Sequence, residues 1–307
     1  MNIKKILIIE LRPGIGDLCM FLPRFHEIFE RYPNSEVTLL TKFRTKAHQL
    51  LKYDKKIHNI EFIDDEKTQA KKDINFLYRF YKINRFDLVF SYQYGPKYLK
   101  YIFLAKWFNS KVYFYGIFKK NEPMMKRAIL SNESWLNIKI KQKISKIFIP
   151  NQNKNKKKQI VIGLGASGDN KRWDVKNYIS LIQSLKKYNY HFILAGGPSD
   201  SLIINQIISY FDDLNFISLE KNNLEQSLEI IKNSSIHIGN DSGFMHICAG
   251  LGMKSLCLYG DTPSVDSIYN ENIIPIIPEG YYEVNHGDNA MHLITLEKVL
   301  TIIKKFI

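Results

Sequence analysis

The stretch KKILIIELRPGIGDLCMFLPRFHEIFERYP, Lys4–Pro33, joins an unbroken apolar run, Ile6–Ile9, to a turn holding Arg12, Gly14, Gly16 and Asp17. Apolar residues at helical spacing follow, and Pro33 closes them. A continuous apolar run bounded by glycines reads as a strand buried on both faces, the kind found in parallel sheets covered by helices. The stretch is therefore read as strand, turn and helix, with a carboxylate at the junction. Capping the helix is one use for Asp17, and a second use emerges from the rest of the chain.

The rhythm repeats. EVTLLTK (Glu36–Lys42), a short strand at Ile60–Ile63 and FDLVFSYQ (Phe86–Gln93) read as strands, with helices over Phe43–Tyr53 and Phe76–Ile83 between them. Alternation of this kind predicts a parallel sheet with helices on both faces. The polar run FIPNQNKNKKKQ, Phe148–Gln159, has nothing to bury and reads as a linker. Beyond it the rhythm restarts with QIVIGLG, HFILAGG, NFISL, SIHIGN and SLCLYG as strands, and helices over 174–188, 201–210, 224–232 and 243–250. A chain of 307 residues suits two domains of about 150 each. The expected division is 1–150 and 151–307, two Rossmann-like α/β units with ligands at the carboxyl ends of their strands.

Composition narrows the function. Charged residues at 24% and hydrophobic residues at 45% fit a globular chain rather than a disordered one. A net charge of +14 favours anionic partners, although solvated lysine faces account for it equally well. Cys19, Cys248 and Cys257 are odd in number and show no C-x-x-C spacing, which points to a reducing, cytoplasmic compartment without structural zinc. The apolar run of the N-terminus is broken by Glu10, so no signal peptide is expected. No stretch of about 20 apolar residues suggests a membrane span. Aromatic and basic residues interleave over Ser91–Lys120, as in interfacial segments, but a core helix followed by a strand fits the same residues.

Four loops after predicted strands carry possible chemistry. In GNDSGFMHICAGLG, Asp241, Ser242 and Gly243 open a helix whose unpaired N–H groups suit a phosphate, and His246 follows one turn later as a donor or as a core histidine. In GLGASGDNKRW, Ser167 lies in a loop of small residues that lets backbone approach a diphosphate, and Lys171 supplies a point charge beside Arg172. AGGPSD (Ala195–Asp200) reads as a tight turn, and LEKNN (Leu219–Asn223) offers Glu220 and Asn222 to a base or ribose.

Taken in order, I-G-D, G-A-S-x-x-x-K-R-W, A-G-G-P-x-D, G-N-D-S-G-x-x-H-I-x-A-G-L-G, L-Y-G-D-T and a final M-x-x-I-T-x-x-x-V resemble glycosyltransferase family 9, the ADP-heptose:lipopolysaccharide heptosyltransferases. The resemblance covers nearly the whole chain. It implies a GT-B fold, two Rossmann-like domains facing across a cleft, and inverting transfer with no cofactor and no essential metal. It also implies Asp17 as the catalytic carboxylate, with Lys171, Asp241, Ser242, Gly243 and His246 on the donor diphosphate and sugar. Ser242 replaces the family's usual threonine and keeps its hydroxyl. Ile60–Lys120 matches no acceptor-side pattern.

The implied chemistry agrees with the residues. A leaving diphosphate needs charge stabilisation rather than a proton, so one base suffices, whereas glycoside hydrolysis needs two carboxyl groups. No D-x-D motif is present. Arg12, Gly14 and Gly16 are candidate donor or acceptor contacts, although a salt bridge explains Arg12 as well. The expected partners are a nucleotide-diphospho-sugar, ADP-heptose first, and an anionic glycolipid at the cytoplasmic face of the inner membrane, a charge-complementary setting for a basic chain. Rival readings are a family-9-like transferase using another nucleotide-sugar, a GT-B-type nucleotide-sugar epimerase, a nicotinamide dehydrogenase and a basic nucleic-acid-binding protein. Cys19 in place of a third glycine and Thr41-Lys42 in place of a ribose-binding acid weaken the dehydrogenase. Lysines and arginines ungathered into any recognisable module count against nucleic acid.

Overall fold

A computed structural model describes residues 3–68, 70–117, 122–140, 144–153 and 156–307. The chain divides into two units, Met1–Lys143 and Ile144–Ile307. The N-terminal unit runs β1 (Lys5–Ile9), α1 (Ile15–Arg31), β2 (Glu36–Thr41), α2 (Ala47–Leu50), β3 (Ile57–Phe62), α3 (Ile74–Asn84), β4 (Leu88–Ser91), α4 (Leu99–Trp107), β5 (Lys111–Phe114) and α5 (Met124–Leu136). Its five strands lie in the order β3-β2-β1-β4-β5, all pairings parallel. Strand residues alternate between faces. Leu7 and Ile9 of β1 therefore share one core with Leu77, Phe80 and Tyr81 of α3 and Leu104 of α4, while Ile6 and Ile8, also buried, point to the opposite face.

The C-terminal unit runs β6 (Lys157–Gly163), α6 (Val175–Leu185), β7 (His191–Ala195), α7 (Ser201–Tyr210), β8 (Phe216–Ser218), α8 (Leu224–Ile231), β9 (Ser234–Asn240), α9 (Gly243–Gly250), β10 (Lys254–Leu258), β11 (Ile273–Ile276) and α10 (Leu296–Ile303). The strand order is β11-β10-β9-β6-β7-β8, again all parallel. That is the dinucleotide-fold order, with the strand sequence reversing between β6 and β9, and its counterpart in the first unit lies between β1 and β4. Ligands of such sheets bind at the carboxyl ends of the strands beside this reversal. Val299 and Ile303 of α10 pack into this unit's core with Leu181 and Ile182 of α6.

The lysine-rich run read as a linker, and the residue before it, are bonded to the C-terminal unit. Ile147 N–H donates to Gly250 O at 2.9 Å, Gln152 Nε2 donates to Leu251 O at 2.7 Å, and Asn153 N–H donates to Asn233 Oδ1 at 2.8 Å. Its composition is that of a loop, but its amides satisfy carbonyls at the ends of α8 and α9. Lys154 and Asn155 lie outside the described residues, as do Phe118–Lys120 of the aromatic segment. The described part of that segment forms α4 and β5. Tyr101 and Leu104 face the core, while Phe103 and Trp107 are exposed at 63% and 64%.

Candidate active site

Asp17 lies in the first turn of α1, just past the carboxyl end of β1. Gly14 is the N-cap, in extended conformation, and its N–H donates to Asp17 Oδ2 at 3.0 Å. A Cβ on Gly14 would stand 2.7 Å from that oxygen, so glycine is what lets the carboxylate fold back on the turn. The carboxylate also sits at the positive end of the helix dipole. Asp17 is half-buried rather than sealed, and Gly16 lies beside it in the same turn.

Behind Asp17 stands a second carboxylate that sequence reasoning missed. Glu10 is wholly buried and pairs with Arg12, Nη1 to Oε2 at 2.7 Å. The Arg12 N–H and Gln93 Nε2 both donate to Glu10 Oε1, at 2.9 and 3.1 Å. Burial pushes the Glu10 carboxyl up, and Arg12 opposes the shift through charge and hydrogen bonding. The Arg12 guanidinium also donates to Tyr92 O at 3.3 Å and lies 4.6 Å from the centroid of the Phe21 ring. Arg12 is therefore held in place, and the turn carrying Asp17 is braced from below.

In the C-terminal unit the loops after β6 and β9 meet at the strand-order reversal. Lys171 Nζ lies 3.3 Å from Asp241 Oδ2. Ser242 is the N-cap of α9, yet its Oγ is buried and has no hydrogen-bond partner among the described residues. Beyond it, Gly243 begins a helix whose first N–H groups have no intrahelical acceptor. A cation, an unclaimed hydroxyl and a helix N-terminus thus converge, the elements of a phosphate site.

The hub that brings these loops together is Asn240, the last residue of β9. Its Oδ1 accepts from Trp173 N–H at 3.0 Å and from Tyr178 Oη at 2.9 Å, and its Nδ2 donates to Leu164 O at 3.0 Å. Trp173 in turn donates from Nε1 to Ile294 O at 2.8 Å, tying the K-R-W loop to the segment before α10. The only sequence signal for Asn240 is its place immediately before Asp241.

The other candidates are less gathered. Arg172 is committed to Asp200 at 2.7 Å and donates to Leu164 O at 3.2 Å, so it braces the AGGPSD turn. His246 is buried and its Nδ1 meets the Tyr269 hydroxyl. Ser167 is exposed on the loop after β6. Glu220 follows β8 with a buried Oε2 that lacks a partner among the described residues, and Asn222 lies in the turn leading into α8. Asp261 of L-Y-G-D-T accepts from Gly287 and Asn289 N–H groups and from Asn170 Nδ2, binding three loops together.

Residues 129–275 match the family model described as "Glycosyltransferase family 9 (heptosyltransferase)". The chain is 24% identical to lipooligosaccharide heptosyltransferase 2 of Campylobacter jejuni, over 83% of this chain and 81% of that protein. The chain is similar to the family 9 glycosyltransferases, and that similarity supports a glycosyltransferase. Its fold is likewise that of solved members. It superimposes on a family 9 glycosyl transferase from Veillonella parvula with a TM-score of 0.80, at 16% identity and covering 100% of this chain and 99% of that one. An E. coli ADP-heptose lps heptosyltransferase II gives a TM-score of 0.74 at 18% identity, covering 98% of each chain. These neighbours identify the two parallel-sheet units as a GT-B glycosyltransferase fold. The family-model match runs from within α5 to within β11 and so includes Lys171, Asn240, Asp241 and Ser242.

Proposed function

We propose that the chain transfers a heptose from ADP-heptose to a hydroxyl of a lipopolysaccharide core, by single displacement with inversion and without an essential metal. The observation that carries this reading is the turn where Lys171 pairs with Asp241 beside the unclaimed Ser242 hydroxyl and the N-terminus of α9. Positive charge and open donors at that point suit the two phosphates of a nucleotide diphosphate, first as substrate and then as leaving group. The relatives, heptosyltransferases and among them an E. coli ADP-heptose lps heptosyltransferase II, support the donor.

In the proposed step the acceptor oxygen attacks the anomeric carbon and forms the new glycosidic bond. The anomeric carbon–phosphate oxygen bond breaks, and its electron pair leaves with ADP towards Lys171 and α9. The proton of the acceptor hydroxyl passes to Asp17, whose Oδ2 is engaged by Gly14 N–H and whose Oδ1 remains for the acceptor. Glu220 and Asn222 are assigned to the nucleoside, His246 and Gly243 to the donor sugar and phosphates, and Ser167 to the loop that closes on the diphosphate. Arg172 and Arg12 act as braces for these loops.

The acceptor places the enzyme at the cytoplasmic face of the inner membrane. Among the described residues no helix is long and apolar enough to cross a membrane. Exposed Phe103 and Trp107 on α4, with Lys100 and Lys106 on the same helix, suit peripheral contact with an anionic surface.

Calorimetric titration with ADP, GDP, UDP and dTDP tests the donor, followed by transfer from ADP-heptose to lipid A bearing Kdo. Selective ADP binding and a heptosylated product are expected. Preference for another nucleotide would replace the heptose, and binding of none would overturn the diphosphate site.

A further inference from the structure

The N-terminal unit holds a buried cation that lacks a counter-ion among the described residues. Arg127 on α5 is 7% exposed, and no carboxylate among the described residues pairs with it. Its Nη2 donates to Tyr115 O at 2.7 Å, and the guanidinium lies 4.6 Å from the Tyr115 ring centroid and 5.4 Å from that of Tyr94. One hydrogen bond and two ring faces leave most of its five N–H donors uncommitted. Two neighbouring arginines, the half-buried Arg12 and the buried Arg24, are treated differently. Arg12 is neutralised by Glu10, and Arg24 by Glu27, with Nε to Oε2 at 2.9 Å. A buried charge without a partner costs several kcal/mol, so Arg127, with no carboxylate partner among the described residues, would be stabilised by an outside anion.

A second observation points the same way. The Tyr115 hydroxyl is buried and has no hydrogen-bond partner among the described residues, and Arg24 Nη1 is in the same condition. Burial pushes the Tyr115 hydroxyl up, so it remains a protonated donor, and Arg12, Glu10, Arg127 and Arg24 all lie within electrostatic reach of it. Glu10 and Arg12 also sense Asp17. The topology explains this neighbourhood. Asp17 follows β1, Tyr94 follows β4, Tyr115 follows β5, and these three strands are adjacent in the sheet. Their carboxyl ends deliver the base and the unclaimed donors to one edge of one unit.

We infer that Arg127 and the Tyr115 hydroxyl form an oxyanion site that binds a carboxylate or phosphate of the acceptor and thereby brings the neighbouring acceptor hydroxyl to Asp17. This rests on the transferase reading above and adds the residues that select an acidic acceptor. The guanidinium, bonded to Tyr115 O and within 5.4 Å of both tyrosine ring centroids, is oriented before the ligand arrives, so little rotamer freedom is lost on binding.

The test separates this site from the donor site. The full chain, saturated with ADP so that the Lys171 turn is occupied, is titrated at constant ionic strength with inorganic phosphate and separately with acetate. The reporter is Trp135, whose ring centroid is 5.6 Å from that of Tyr115. A saturable fluorescence change is expected for the native protein, weakened about tenfold in R127M and a few-fold in Y115F. R127K keeps the charge and guards against misfolding, and its affinity is expected between those of the native chain and R127M. A phosphate preference names a phosphorylated acceptor sugar, and equal or better acetate binding names a carboxylated one. With the Kdo-bearing acceptor, R127M raises acceptor KM about tenfold and leaves donor KM in place. Isotherms unchanged in R127M, or no saturation by either anion, overturn the site. Failure of ADP binding would instead strike the transferase reading and leave the anion isotherm to be read on its own.

Discussion

Replacing Asp17 by asparagine separates its two roles. The amide oxygen of asparagine can still accept the Gly14 N–H bond, now 3.0 Å long, so the first turn of α1 keeps its closure. What is lost to the fold is the carboxylate's interaction with the helix dipole, about 0.3–1 kcal/mol. For a unit of this size that is about 2–4 °C in Tm at most. What is lost to the proposed reaction is its proton acceptor, worth roughly 10²–10⁴-fold, or about 3–5 kcal/mol of barrier. Asp17→Ala removes the acceptor of the Gly14 bond as well and costs the fold about 1 kcal/mol more, with the same kinetic loss. The assay is ADP release under single-turnover conditions with acceptor present, alongside calorimetric ADP affinity and a thermal melt. D17N and D17A are expected to fall together in rate while differing in Tm, with ADP affinity unchanged. Turnover of D17N within about threefold of the native rate would refute the base, as would a rate loss that tracks Tm.

Other perturbations address the C-terminal unit. On the proposed reading the Lys171 charge meets the second phosphate, so Lys171→Met is expected to weaken ADP about tenfold and leave AMP affinity nearly unchanged; equal losses for both nucleotides would contradict this. Ser242→Ala removes a hydroxyl with no partner among the described residues, so it should leave Tm level or raised while weakening ADP a few-fold, both read in one series of melts with and without nucleotide. Asn240→Ala strands the buried Trp173 N–H and should destabilise the C-terminal unit by about 2–4 kcal/mol in urea unfolding; a loss under about 0.5 kcal/mol would deny it the hub role. Burial, and secondarily the nearby His246, push the His237 imidazole down to about 3. As pH falls below the ordinary 6.5, the unfolded chain takes up this proton before the folded one, so stability drops by about 1.4 kcal/mol per unit until about 3. Urea unfolding at pH 7 and pH 5 should show the gap between native protein and His237→Asn narrowing by about 2 kcal/mol, and a constant gap would place the titration elsewhere.

Most of the fold was legible because the central strands are continuous apolar runs. Ile6–Ile9 and Ile160–Ile162 bury every side chain, and such runs leave few alternatives. Helix α5 escaped notice since its inner face carries Arg127 and Asn132, two buried polar residues that break the apolar period. Strand β11, at the sheet edge with Pro275 in its middle, carries a residue that argues against a strand on composition alone. In the site, Asp17, Lys171 and Asp241 stood out as charges at strand ends. Glu10 did not, because a carboxylate at the end of an apolar run looks like the first exposed residue, and only tertiary packing sinks it beneath Arg12 and Gln93. Asn240 was equally silent, since its work is done by bonds to residues 62 to 76 positions away.

The tethering of the lysine-rich run bears on how chimeras between such enzymes should be spliced. Composition invites a crossover within Asn151–Lys156, where nothing apolar would be cut. A graft made there would import a foreign Ile147 and Gln152, although Ile147 nestles against Gly250, where even a methyl would fall 2.8 Å from its Cδ1, and Gln152 bridges Lys232 and Leu251. Crossing over at Lys143 and Ile144 keeps those partners from one parent. An exchange of acceptor preference between two parents can then be judged on its chemistry, free of a mismatched seam.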